Sequence, residues 1–267
     1  MISGPAGLKI ETVPEFQAHT PNLARMYDYM LGGTDNYAID REAIDRLAAL
    51  VPQAVPLARA NRAFLQRAVR YLVDAGIHQF LDLGSGLPTQ GNVHEVAPEA
   101  KVVYVDRDPV VATHARALLE EAGRAVFVQA DLLDPDEVLA QASRFLDMHE
   151  PVGVLLVSIL HFIPDARDPG KMVTRLREAV APGSHLVLTH ATSRGRFEEG
   201  AAALRRPASA GAGTDRTPRE IRAFFGDFEL VEPGLVHAPD WRPDRPRLVS
   251  EPSLPSYLLV GVGQKSS

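Results

Sequence analysis

The sequence has no cysteine and a single tryptophan in 267 residues. The missing cysteine excludes disulfides, thiolate metal sites and a cysteine nucleophile together. No stretch approaches the roughly 18 consecutive apolar residues of a membrane span. Residues Met1 to Phe16 lack the basic-then-apolar order of a signal peptide. A cationic excess is also missing: 28 Lys and Arg stand against 34 Asp and Glu, a formal net charge of −6. There is thus no global basic field to hold a phosphate backbone. The expected partner is a small molecule, with no nucleic acid and no membrane, and the expected location is the cytoplasm. No spaced cluster of histidines and carboxylates reads as a metal site, and His114, His149 and His237 have no neighbouring partner in sequence.

What is present is ordinary globular composition, 45% hydrophobic and 23% charged. Thr20-Pro21 reads as an N-cap followed by proline at the first helical position. Leu23, Met26, Tyr27, Met30 and Leu31 follow at helical spacing, and Gly32-Gly33 ends the run. A second helix carries Ile44, Leu47, Ala48 and Val51 on one face; a third, over 56–75, groups Phe64, Leu65, Ala68, Val69 and Leu72. From residue 77 short apolar runs alternate with helical segments. The runs are Gln79–Leu83, Val102–Val105, Ala125–Val128, Val152–Val157 and His185–Leu188, followed by Phe228–Val231 and Tyr257–Val262. Asp108-Pro109, Asp134-Pro135-Asp136-Glu137 and Thr217-Pro218-Arg219-Glu220 are helix starts. This alternation predicts a parallel sheet with helices on both faces, closed by an antiparallel return. The expected division is a helical cap in residues 1–75 and an α/β domain in 76–267. Residues 193–215, rich in Gly, Ala, Ser and Arg, read as a surface insertion and candidate lid.

In such sheets ligands bind beyond the carboxyl ends of the strands. Asp82-Leu83-Gly84-Ser85-Gly86 follows the first strand, and its glycines permit a sharp turn close to a ligand, with a helix N-terminus expected next. Asp106 ends the second strand, placed to accept hydrogen bonds from a ribose diol. Asp131, with Leu132, ends the third, placed to meet an adenine. Together these three predict an adenosine-containing ligand. A dinucleotide fingerprint needs a third glycine where this chain has Thr89. The carboxylate of Asp82 repels a pyrophosphate and suits a ligand carrying an ammonium group. S-adenosylmethionine fits that description and NAD does not.

With these motifs the chain resembles the Rossmann-like methyltransferases. The strand Val152–Val157 and the segment Ala181-Pro182-Gly183-Ser184-His185-Leu186-Val187-Leu188 match that superfamily's run of motifs. More narrowly, Arg25-Met26-Tyr27-Asp28-Tyr29-Met30-Leu31-Gly32-Gly33-Thr34-Asp35-Asn36-Tyr37 looks like the N-terminal signature of an actinobacterial S-adenosyl methyltransferase family, long known as a domain of unknown function. Residues 60–65 and 158–165 support the same resemblance, while Pro88 stands where many relatives in the wider superfamily have a third glycine. The resemblance implies an α/β Rossmann-like fold: a seven-stranded, mostly parallel sheet with an antiparallel last strand and a helical N-terminal extension. It implies S-adenosyl-L-methionine as methyl donor and leaves the acceptor open.

The candidate donor site comprises Asp82, Gly84, Ser85, Gly86, Asp106, Arg107, Asp131, Leu132 and Ser158, with Arg25, Asn61 and Arg62 placed to meet the donor's carboxylate. His161 and His190, each after a strand, are candidate general bases for a weak acceptor. Gly33, Asn36 and Tyr37 are candidates for a cap over donor or acceptor, and Trp241 for the acceptor pocket or the sheet edge. The leading expectation is methyl transfer to oxygen or nitrogen of a small molecule. Donor binding without turnover is the alternative, and a nicotinamide-dependent oxidoreductase ranks third.

Overall fold

The computed structural model describes residues 19–88, 91–119, 123–192, 214–245 and 257–266. Eight strands form one sheet: β1 (Gln79–Leu83), β2 (Lys101–Asp106), β3 (Ala125–Gln129), β4 (Gly153–Leu156), β5 (His185–Ala191), β6 (Phe228–Leu230), β7 (Val236–His237) and β8 (Leu258–Lys265). Their order is β3-β2-β1-β4-β5-β8-β6, with β7 also on β8. The first five strands pair in parallel, and β8 runs antiparallel to β5, β6 and β7. All seven expected strands form. The two-residue β7 is additional, too short to leave a period in the sequence. β8 inserts between β5 and β6, which completes the antiparallel return.

Among the described residues the α-helices are α1 (Leu23–Leu31), α2 (Ala38–Leu50), α3 (Ala54–Asp74), α4 (Val93–Val96), α5 (Pro109–Leu119), α6 (Pro135–Ala142), α7 (Pro169–Ala179) and α8 (Pro218–Ala223). Asp134 caps α6 by accepting from the Glu137 N–H, and Thr217 and Glu220 form a reciprocal capping box at α8. α1 starts later than Thr20-Pro21 predicts: its N-cap is Asn22, whose side chain accepts from the Arg25 N–H. The insertion 193–215 lies outside the described residues except for its last two.

Two apolar layers cover the sheet. One face packs Leu81, Val103, Val154 and Leu186 beneath α6 and α7; the other packs Phe80, Val102, Leu155 and Val187 beneath α3. Phe64, Leu65, Ala68, Val69 and Leu72 of α3 belong to this second layer. α3 is therefore part of the sheet's packing, while a separate small core (Met26, Ala43, Ile44, Leu47) joins α1 to α2. Trp241 is fully buried in the second layer, edge-on to Phe64 at 5.2 Å and to Tyr71 at 5.8 Å.

The N-terminal signature is held by one carboxylate. Asp40, fully buried, accepts from the N–H of Asn22 (2.8 Å) and of Tyr37 (2.9 Å), and from Arg25 through Nε (2.6 Å) and Nη2 (3.2 Å). It thereby caps α2 and anchors the start of α1. Asn36 donates to Asp28 Oδ2 (2.8 Å) and to the Gly33 carbonyl (2.9 Å). A Cβ on Gly33 would lie 1.9 Å from Asp28 Oδ1, which is why glycine stands there. Removing one partner of a buried ion pair costs about 3–5 kcal/mol. Asp40→Ala is expected to lower stability by that amount, read as a fall in the urea midpoint; an unchanged midpoint would contradict the anchoring role.

Candidate functional site

β1 lies between β2 and β4, so the chain reverses its winding direction beside β1. The residues that end β1 and β2 meet there. Gly84 and Ser85 donate their N–H groups to the Val105 carbonyl at 2.8 and 3.1 Å, folding the turn over β2. Gly84 and Gly86 have φ of +69° and +66°, and a Cβ on Gly84 would meet Ile159 at 2.7 Å. Both positions thus require glycine. Asp106 is gripped from two sides: the Gly86 N–H reaches Oδ2 and the Asp108 N–H reaches Oδ1, each at 3.0 Å. Each carboxylate oxygen keeps a lone pair for a further donor.

No helix follows this turn directly, contrary to the sequence expectation. α4 opens only at Val93. Pro88, two residues after Gly86, has no N–H to offer a phosphate. A pyrophosphate cradle needs a helix N-terminus at that point.

Asp82 is buried, and burial pushes its carboxyl up to about 7, with Asp106 adding to the rise and Arg62 opposing it. Burial also raises Asp106, against the two backbone N–H bonds. Asn61 donates to the Tyr27 hydroxyl (2.8 Å), which donates to the Ala58 carbonyl (3.2 Å). Asn61 Oδ1 is buried without a hydrogen-bond partner among the described residues. Asp131 accepts from the Leu133 N–H (3.0 Å) and lies 3.5 Å from Arg107, an exposed and hence weak pair. Ser158, two residues beyond β4, has φ of +60°, its N–H bonded to Thr189 Oγ1 at 2.7 Å. A strained residue at a strand end next to a cavity is a common mark of functional sites.

These groups line one cavity of about 1160 Å³. It takes in Arg25, Asn61, Arg62, Asp82, Gly84, Ser85, Gly86, Asp106, Arg107, Asp131, Leu132, Ser158 and His161. Met26 and Met30 of α1 face it from the cap, and Phe162, Ile163 and Pro164 from beyond β4. Arg25 lines the cavity with its guanidinium already engaged by Asp40, so it is poorly placed to serve a second carboxylate. Gly33, Asn36, Tyr37 and Trp241 do not line it. The first three build the α1–α2 connection, with the Tyr37 ring 4.8 Å beneath the Arg25 guanidinium, and Trp241 is core.

The two histidines differ. His190 does not line the cavity, and both its ring nitrogens are engaged: Nδ1 with the Ala191 carbonyl (2.7 Å) and Nε2 with Arg216 Nη1 (2.9 Å). It is a structural link rather than a base. His161 lines the cavity from a 3₁₀ turn (Leu160–Phe162), and its Nδ1 accepts the Ala191 N–H at 3.4 Å. Burial, helped by His190 and Arg216, depresses His161 to about 3. Burial, with Arg216 contributing, depresses His190 to about 4.

Arg216 escaped the sequence reading. It is buried, and donates to the Leu160 carbonyl (2.9 Å), the Ile163 carbonyl (2.8 Å), Asp165 (2.6 Å) and His190. It fixes the turn that carries His161. One arginine before a capping box carries no signal of burial, because its partners lie 26 to 56 residues away.

The sequence profile of the family described as S-adenosyl methyltransferase matches residues 10–266. The chain belongs to the S-adenosyl methyltransferase family. A protein of Thermobifida fusca YX assigned to the methyltransferases is 40% identical, with a TM-score of 0.88, over 97% of this chain and 100% of that one. A DUF574 family protein from Streptomyces avermitilis MA-4680 is 36% identical, with a TM-score of 0.86, over 93% and 98%. An O-methyltransferase family protein from Burkholderia thailandensis, 18% identical with a TM-score of 0.51 over 91% and 72%, shares the fold. No curated protein matches. The chain is accordingly an S-adenosylmethionine-dependent methyltransferase, and among its described residues no helix is long and apolar enough to cross a membrane.

Histidines depressed from an ordinary 6.5 to about 3 and about 4 contribute stability that is complete above pH 6.5 and is lost as pH falls toward those values. Asp82, raised to about 7, acts with the opposite sign, since the folded protein takes up its proton first. Each group contributes a slope of up to about 1.4 kcal/mol per pH unit. His94 and His185 are likewise depressed by burial, and Asp28 and Asp106 raised by it; with four histidines against three carboxyls, stability is expected to fall from pH 6.5 to pH 5. Asp82→Asn is expected to steepen that fall in urea titrations, and an unaltered slope would contradict the assignment.

Proposed function

We propose that this methyltransferase transfers the donor's methyl group to a small molecule held in the same cavity as the donor. The observation that carries the reading is the cavity's size: about 1160 Å³ exceeds the roughly 300–1,000 Å³ typical of a site for one drug-sized ligand. The residues present fit the donor. Asp106 offers its free lone pairs to the ribose diol, Asp131 and Leu132 flank the adenine, and the open glycine turn admits a chain without phosphate. Asp82, Arg62 and the unpartnered Asn61 Oδ1 receive the amino-acid end. The buried oxygen of Asn61 supports this strongly, because an unsatisfied acceptor beside a cavity gains most from an incoming ammonium.

When bound, the donor supplies an electrophilic methyl group on a sulfonium. The protein's task is then to fix the acceptor in line with it and exclude water. The apolar walls, Met26 and Met30 on the cap and Phe162 to Pro164 beyond β4, suit that task. A cytoplasmic setting accords with a freely diffusing donor and acceptor. The alternative of donor binding without turnover has no observation in its favour, since the cavity extends past the residues that would hold the donor.

Calorimetry with S-adenosylhomocysteine tests the donor site. Asp106→Ala is expected to weaken binding by about 1–3 kcal/mol, the scale of a lost hydrogen bond to a charged group; wild-type affinity in that variant would remove Asp106 from the site. A carboxyl at about 7 is half ionised at neutrality and mostly ionised by pH 8. Affinity is therefore expected to rise from pH 6 to pH 8, with a proton released on binding near pH 7, and to lose that dependence in Asp82→Asn. A flat profile in the wild type would contradict contact between Asp82 and the ammonium.

A further inference from the structure

We propose that His161 serves the methyl acceptor as a hydrogen-bond donor through Nε2–H, and that the acceptor is an oxyanion on a largely apolar small molecule, a carboxylate or an acidic phenol or enol already ionised when it binds. This rests on the methyltransferase reading and names the substrate class of the same site. It reverses the general-base role that a histidine after β4 suggests.

The proton's place on His161 follows from its neighbours. Nδ1 accepts the Ala191 N–H at 3.4 Å, so a neutral ring carries its proton on Nε2. Among the described residues the ring's one hydrogen bond is at Nδ1, and the residue lines the cavity. A ring in that tautomer gives a hydrogen bond to the reacting atom and has no free lone pair with which to take a proton from it. Its surroundings also oppose an imidazolium. From β5 comes the His190 ring, 5.6 Å away; from ahead of α8 comes the Arg216 guanidinium, bonded to His190; from the next residue comes the Phe162 ring at 4.2 Å. Of the carboxylates here, Asp165 is paired with Arg216, and Asp215, next to the Thr214 whose N–H bonds the His161 carbonyl, lines the cavity. A proton delivered to His161 would be desolvated and would lie near the Arg216 guanidinium, whose partner carboxylate, Asp165, is already committed to it.

An acceptor that arrives ionised needs no base. Its oxygen lone pair forms the bond to the methyl carbon, the carbon–sulfur bond breaks, and that electron pair stays on sulfur as a neutral thioether. Oxyanion and sulfonium are both neutralised, and no proton is released. The apolar wall Phe162, Ile163 and Pro164 accommodates the carbon skeleton, and Arg167, which also lines the cavity, complements the negative charge. Asp215 lines the cavity too, on the His161 side, and is a rival base.

Two measurements on the full chain test this. In ¹⁵N–¹H correlation spectra, with His161→Gln for assignment, His161 is expected to stay in the Nε2–H tautomer from pH 5.5 to pH 8.5. An Nδ1–H tautomer, or a protonation midpoint between pH 6 and pH 8, overturns the donor role. In the second, 4-nitrophenol is added to protein saturated with S-adenosylhomocysteine, and its ionisation is followed by absorbance. The phenol is expected to bind as the anion with a lowered ionisation midpoint. His161→Gln, which keeps an N–H donor, preserves that shift; His161→Phe abolishes it; Asp215→Asn leaves it unchanged. Loss of the shift in Asp215→Asn, binding of the neutral phenol, or no binding to the loaded protein overturns the acceptor class. Failure to bind S-adenosylhomocysteine at all overturns the methyltransferase reading instead, so the two failures are distinct.

Discussion

The parallel pairing of β1 between β2 and β4 is the constraint from which the rest of the site follows. Chain to one side of β1 is wound toward β2 and β3, and chain to the other side toward β4 and β5. The loops that leave β1 and β4 consequently diverge, and a crevice opens between them without any residue having to be sacrificed from the core. Asp82 and Asp106 end up on the same rim because their strands are neighbours in register, with Leu83 beside Val105. The backbone then completes the site: the Val105 carbonyl holds the glycine turn, and the turn's own Gly86 N–H holds Asp106.

Above this crevice the cap is assembled by electrostatics more than by apolar area. Its private core is small, and Asp40 ties the N-terminus of α1, the N-terminus of α2 and Arg25 to one buried carboxylate. Asn22 extends the connection to Asp108 on the β2–α5 turn. The cap is thus attached to the donor-binding rim through its first residue, and to the sheet through α3. Met26 and Met30 of α1 face the cavity from between these two attachments.

The strands were legible because buried parallel strands are short apolar runs between turn residues, and helix starts were legible because Asp, Thr and Pro announce them. Asp82, Gly84, Gly86 and Asp106 were legible for the same reason: strand ends locate themselves. Tyr37, Asn36 and Gly33 misled, since a polar, glycine-led loop looks the same whether it covers a ligand or caps a helix with Asp40, three residues on. Trp241 was open to two readings, because a lone aromatic among prolines gives no period and its partners Phe64 and Tyr71 are some 170 residues earlier. Arg216 and the tautomer of His161 depend on contacts across elements, which spacing along the chain does not encode.

The chain between Thr192 and Thr214 is pinned at both ends. Thr192 donates its N–H to the Tyr257 carbonyl at 2.6 Å, and Thr214 donates to the His161 carbonyl at 2.7 Å, with Arg216 buried two residues later. The frame carrying His161 is thus held by Thr214 at its backbone and by Arg216 through the Leu160 and Ile163 carbonyls. A change at Thr214 or Arg216 is therefore transmitted to the cavity wall at His161, although neither residue adjoins it in the sequence.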